Sequence, residues 1–312
     1  MPRAVAISPT GLSSFFEICD TGPDGRPLED PLLVGARGGG FTLDLYVRTE
    51  VVVSEARGQA DVRITINGRE QKAKTTRRVV EELLPLADAP YSVEVRHEIP
   101  VPIAAGFGTS GAGALSTALA LSAALGLKLT YNRLGEVAHA AEVLCRTGLG
   151  TVGPLMLGGC ILTLEPGGPG RALIDRLPTP RDLKVISGVF SPIETRSVLV
   201  RRLGKERINS AGRRALEAIL ADPCLETFMD ACRSFALESG LATERTVALM
   251  DALVEADVPC AQNMIGEAVH AIAREGEELE RALAVFKRFL PEDKIYVGGV
   301  CWRPAELVEV RR

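Results

Sequence analysis

The amino-acid sequence predicts a mixed α+β protein built as two units. Three observations carry that reading. Strand-like alternation is interleaved with helical periodicity through the first 180 residues. A glycine-rich loop between Pro102 and Gly113 runs without a break into a charge-free Ala/Leu helix that ends near Leu125. Beyond Pro178–Arg181 the texture changes to longer, more charged helices, which places a boundary there and gives units of 1–180 and 181–312. A chain of 312 residues has room for two hydrophobic cores.

In chain order, Ala4–Ile7 reads as a short buried strand broken by Ser8-Pro9-Thr10-Gly11. Ser13, Ser14, Phe15 and Phe16 follow, then a polar turn from Asp20 to Asp30. The cluster Gly35–Gly40, which carries Arg37, leads into strands at Phe41–Val47 and Glu50–Ser54. Asp61–Ile66 alternates, and Asn67-Gly68 signals a hairpin turn. Arg77–Leu86 has helical periodicity, and Tyr91–Ile99 alternates as the strand feeding the glycine loop. A second helix covers Arg133–Leu144, with Glu142 one turn beyond His139. After Thr147–Gly153, again glycine-rich, come strands at Leu157–Leu164 and Leu183–Val189. Helices are expected near Ile208–Leu220, Leu225–Ser239 and Thr243–Ala256, a loop and helix over Val258–Ile272, a helix at Glu277–Phe289, and a closing strand at Ile295–Val300.

Composition excludes several classes of function. A net charge of −4 argues against a nucleic-acid-binding surface. No uninterrupted apolar run reaches the length of a membrane span, and the first residues lack the apolar stretch of a secretory leader. Seven cysteines with no C-x-x-C pair fit a reducing cytoplasm rather than a disulfide framework or zinc site. With three histidines, histidine-based metal or triad chemistry starts from a weak position.

The chemistry concentrates in Gly106, Phe107, Gly108, Thr109, Ser110, Gly111, Ala112 and Gly113. A glycine loop opening a buried helix can aim backbone N–H groups and the positive end of the helix dipole at an anion. Ser110 adds a hydroxyl suited to a phosphate-bound cation. No lysine follows the last glycine, so this is not the G-x-x-x-x-G-K-[ST] loop. A tight turn entering an ordinary core helix satisfies the same glycines, and on these residues alone both readings stand.

Several separated segments resemble one family. PIAAGFGTSGAG (Pro102–Gly113) is similar to the second motif of the GHMP small-molecule kinases, P-x-x-x-G-[LF]-G-[ST]-S-[AG]-A. SPTGLSSFF (Ser8–Phe16), VGARGGG (Val34–Gly40), TGLGTVGPLMLGG (Thr147–Gly159), FMDACRSFALESGL (Phe228–Leu241) and AQNMIGEAVHAIA, beginning at Ala261, resemble the archaeal pantoate kinase branch. The resemblance implies a two-domain GHMP kinase fold, with an N-terminal domain like domain 2 of ribosomal protein S5 and a ferredoxin-like C-terminal domain. It implies an ATP-dependent phosphotransferase with an alcohol acceptor, most simply pantoate on the way to coenzyme A. Another small hydroxy acid or alcohol, mevalonate-like or homoserine-like, is the alternative acceptor, and a non-catalytic nucleotide-binding relative the alternative class.

Carried onto this chain, the resemblance puts ATP on Pro102 and Gly106–Gly113, and Mg²⁺ on Ser110 and Glu142. His139 corresponds to a position lining the substrate pocket, with a core histidine as the competing reading. Arg37 is the candidate carboxylate clamp through its planar fork, against an exposed loop arginine; Thr10, Ser13 and Ser14 are further candidates for the same pocket. The departures cluster on the acceptor side. Gly11 stands where the branch often has histidine, and Thr151 where it usually has the aspartate beside the attacking hydroxyl. Thr163 occupies a position often held by arginine, and the third motif is reduced to Gly266. The expected partners are a small-molecule substrate, with no nucleic acid and no membrane; a homodimer is admitted, since family members often pair.

Overall fold

The computed structural model describes residues 1–56, 60–191 and 202–311. Two antiparallel-rich sheets organise them. The first contains β1 (Arg3–Cys19), β2 (Gly35–Glu55), β3 (Val62–Ile66), β4 (Arg69–Glu70), β5 (Tyr91–Glu98), β6 (Cys160–Glu165), β7 (Leu173–Leu177) and β12 (Glu306–Arg311). Its main path runs β12-β1-β2-β5-β3-β4, and β6 with β7 joins alongside the first half of β2. The second sheet has β8 (Leu183–Ser191), β9 (Cys260–Gln262), β10 (Glu267–Arg274) and β11 (Ile295–Gly299) in the order β11-β8-β10-β9. In the chain order of this half that is 4-1-3-2, the ferredoxin-like arrangement.

Helices α1 (Lys74–Leu83), α2 (Thr109–Leu125), α3 (Tyr131–Cys145) and the short α4 (Val152–Leu155) belong with the first sheet. Helices α5 (Arg202–Ala221), α6 (Leu225–Ser239), α7 (Glu244–Glu255) and α8 (Glu277–Phe289) follow in the second half. None of the described helices is long and apolar enough to cross a membrane.

The central element is α2. It carries no charge, and all but three of its residues are buried between the sheet and its neighbours α1 and α3. A helix apolar on every side belongs inside. Gly126, with φ 70°, ends it by returning N–H groups to the last carbonyls.

Several elements differ from the sequence reading, β7 and α4 among them. Ser8–Gly11 does not break the first strand; Pro9 sits at a register shift of β1, where a missing N–H costs no ladder bond. The two strands expected from Phe41 to Ser54 are one, β2, and it starts inside the glycine cluster. Val258–Ile272 holds β9 and β10 rather than a helix, and β10 is buried on both faces between β8 and β9. Ile295–Gly299 is followed by β12, which leaves the second half and pairs antiparallel with β1, Arg3 opposite Arg311. The two sheets also meet at single bridges, Ser13 with Met264 and Leu43 with Val300. The first of these floors the site.

Candidate active site

Ser110 lies in the first turn of α2 and Glu142 in the last turn of α3, and the packing of the two helices brings them together. Ser110 Oγ donates to Glu142 Oε1 at 2.6 Å. Glu142 is 1 % exposed, and its other carboxylate oxygen, Oε2, is buried without a hydrogen-bond partner. Burial pushes the carboxyl up to about 7, against the bonds from Ser110 and Thr147 that pull it down. A buried carboxylate oxygen with nothing to bind is costly unless something else completes it. Gly111 and Gly148 flank it, and a Cβ on either would stand 2.7 Å from Oε2. A small cation fits this cradle: two hard oxygen donors, with phosphates and water as the remaining ligands, is the usual composition of a Mg²⁺ site. Among the described residues no group of three or more acidic, histidine or cysteine side chains could hold a metal alone.

The glycine loop beside this pair is locked from two sides. Gly106 and Gly108 have positive φ, 82° and 57°. Phe107 O accepts from Gly11 N at 3.0 Å, so β1 holds one side. Asn263, at the start of the turn joining β9 to β10, packs against Gly106, where a Cβ would come within 2.8 Å of it. The Phe107 ring is buried edge-on to Tyr296. Gly108 is the N-cap of α2 and has no side chain to bond the first helical N–H groups. Those groups are left for an anion at the positive helix end.

One cleft joins these parts. Gly106 through Ser110 line it at one end, with Thr147–Thr151 beside them, and Ser13, Arg37, Thr163 and Ile161 continue the wall. Met264 and Ile265 close it from the second half of the chain. Met264 N donates to Ser13 O at 2.7 Å, so the wall is a backbone-paired surface. Thr151 begins α4, with its methyl toward Gly108 and Gly11. Arg37 Nε donates to Glu17 Oε2 at 2.7 Å and a second guanidinium nitrogen reaches the same oxygen.

The sequence-predicted residues therefore separate into two groups. Ser110, Glu142, Gly106–Thr109, Thr151, Arg37 and Ser13 converge. Pro102 lies outside the lining, and Gly111, Ala112 and Gly113 sit behind it in the helix. His139 is not brought to the cleft: it is 1 % exposed, and Nε2 bonds the carbonyls of Val34 (2.9 Å) and Pro31 (3.2 Å). Burial keeps that imidazole below its ordinary value and so neutral. Its place is to hold the segment entering β2. Thr10 and Ser14 are fully buried; Ser14 Oγ pairs with His270 Nε2 at 3.1 Å.

Sequence reasoning missed Glu17, Gly148, Met264 and Ile265. Glu17 had a signal, a lone charge in the apolar strand SSFFEIC, since buried charges are kept only with partners. Gly148 had none beyond lying in a glycine-rich segment.

The family description "GHMP kinases N terminal domain" matches residues 73–159. A pantoate kinase of Thermococcus kodakarensis is 34% identical over 261 residues, covering 81% of this chain and 84% of that one. A pantoate kinase of Methanocaldococcus jannaschii is 28% identical over 282 residues, covering 90% and 96%. A solved structure described as a phosphotransferase related to the CoA biosynthesis pathway superposes with a TM-score of 0.87 at 29% identity, covering 99% of both chains. A more distant one, described as MDDEF in complex with MVAPP, AMPPCP and magnesium, shares the fold with a TM-score of 0.74 at 15% identity over 99% of both. The chain belongs to the GHMP kinases, in the family of the archaeal pantoate kinases, and is a kinase that phosphorylates a hydroxyl group.

Proposed function

We propose that the protein transfers the γ-phosphoryl group of ATP, in the presence of Mg²⁺, to the primary hydroxyl of pantoate, giving 4-phosphopantoate and ADP. The observation that carries this reading is the Ser110–Glu142 pair with its unpartnered Oε2, set at the open end of α2 and sharing a cleft with Arg37. The relatives named pantoate kinase supply the acceptor.

Ser110 and Glu142 would hold Mg²⁺, which supplies charge neutralisation to the phosphates when bound. The N–H groups at the start of α2 bind phosphate oxygens, and the loop glycines allow the backbone to approach them. Arg37 orients the acceptor through its carboxylate. The acceptor hydroxyl oxygen bonds to the γ-phosphorus as the bond to the bridging β-oxygen breaks. The hydroxyl proton leaves to a phosphoryl oxygen. None of the described residues lining the cleft is a carboxylate, so Thr151 acts as an orienter, not a base. That suffices for phosphoryl transfer, which depends mainly on positioning and charge stabilisation.

The product's phosphorus NMR spectrum tests this directly. Transfer to the primary hydroxyl gives a monoester split into a triplet by the adjacent methylene. A doublet would place the phosphate on the secondary hydroxyl and overturn the assignment; consumption of ATP without any new ester would overturn the reaction.

A further inference from the structure

Glu17 is a buried carboxylate of β1, 6 % exposed, behind the cleft-lining Arg37, and it does not face Arg37 alone. Its Oε2 takes Arg37; its Oε1 accepts from Arg213 Nη1 at 2.7 Å. Arg213 comes from α5, in the second half of the chain, and is not among the residues lining the cleft. The approach of α5 is built. Asn209, one turn before Arg213, closes both polar groups of Ile18, accepting from its N at 2.8 Å and donating to its O at 2.9 Å. Gly212 presses against Phe16 O so closely that a Cβ there would collide with it. Lys205 pairs with Asp20 further along the same edge. Four residues of α5 thus track the end of β1 from Phe16 to Asp20 just beyond it.

The charges explain why such a contact is useful. Arg37 with Glu17 alone is neutral, and a buried carboxylate beside the clamp would repel an anionic acceptor. With Arg213 on the other carboxylate oxygen, the three side chains carry a net single positive charge. We propose that Arg213 and Glu17 are positioning residues for acceptor binding: Glu17 fixes the Arg37 fork, and Arg213 cancels the charge of Glu17 so that Arg37 still attracts a carboxylate. This rests on the reading of Arg37 as the acceptor's carboxylate clamp given under Proposed function.

The test is a set of steady-state titrations with pantoate and with ATP on wild type, Arg213→Gln, Arg213→Lys and the double variant Glu17→Gln/Arg213→Gln, each checked by thermal unfolding. Arg213→Gln leaves Glu17 uncompensated, so the pantoate KM rises about tenfold with the ATP KM unchanged. Arg213→Lys keeps the charge and stays near wild type. The double variant removes both charges, leaves an amide oxygen at position 17 to accept from Arg37, restores the net positive balance and brings the pantoate KM back toward wild type. A double variant as impaired as Arg213→Gln would overturn the proposal, because the loss would then not follow the charge of Glu17. An unaltered KM in Arg213→Gln, or a rise in both KM values with a lower unfolding midpoint, would overturn it as well. Wild type that turns over no carboxylate acceptor would instead remove the reading of Arg37, and this proposal with it.

Discussion

Glu142 Oε1 accepts a 2.6 Å hydrogen bond from Ser110 Oγ while Oε2 of the same carboxylate lies buried without a partner. A fully internal pair would use both oxygens, so the arrangement is half of a site. Ser110→Ala removes one of two protein oxygens from it and leaves the packing of α2 intact, because the side chain is only partly buried. Turnover is expected to fall by about a hundredfold or more, with the unfolding midpoint little changed. Steady-state rates over a Mg²⁺ titration check this, and wild-type-like turnover would remove the metal assignment.

Gly148 offers a test through space rather than through a donor. Its backbone is in an ordinary region, so alanine meets no conformational strain, but the added methyl would sit 2.7 Å from Glu142 Oε2. Gly148→Ala is expected to displace the carboxylate and cut turnover about as much as Ser110→Ala, at a stability cost of ~1 kcal/mol. Circular dichroism with an activity assay separates the two effects. Full activity would show that the carboxylate has room to move and that the cradle is not tight.

What the sequence disclosed follows how local each feature is. The glycine loop, α2 and the Glu142 helix are contiguous segments, and their periodicity and motif were readable as they stand. Glu17 meeting Arg213, Met264 pairing with Ser13, and β12 returning to β1 are contacts between distant parts of the chain, and no window of sequence contains both partners. The motif resemblance points His139 toward the pocket, yet its ring is turned to two carbonyls in the core. The strand β10 lacks a strand signature in sequence, because burial on both faces erases the alternation that would mark it.

Thr151, set by the motif resemblance at the position of an aspartate, lines the cleft at the start of α4. Thr151→Asp changes the side chain little in volume and adds a general base. Base assistance is typically worth about 10²–10⁴-fold, so a gain of about tenfold or more in kcat would show that the natural enzyme works without it. Unchanged or lower kcat would show that the threonine hydroxyl already orients the acceptor as well as a carboxylate can.

His97 ties three elements together: Nδ1 bonds Thr49 Oγ1 at 2.8 Å, Nε2 bonds Thr76 Oγ1 at 3.0 Å, and the ring packs beside Gly113 of α2. Burial depresses its pKa from 6.5 to about 4. The unfolded chain therefore binds a proton that the folded one refuses between those values. Stability is fully present above pH 6.5 and is lost as pH falls toward 4, by ~3 kcal/mol for this group. Urea unfolding at about pH 7 and about pH 5 measures the slope, and His97→Gln should lower it by the share of this one group, with buried His139, His270 and Glu142 still contributing. An identical slope in that variant would place the acid sensitivity elsewhere.

The most direct test of the central claim is ADP release from ATP–Mg²⁺ with pantoate, mevalonate, homoserine and shikimate as separate acceptors beside a blank without acceptor. The account predicts turnover with pantoate well above every other acceptor and above the blank. Turnover confined to a different acceptor, or binding of ATP with no acceptor-dependent release of ADP, would contradict it.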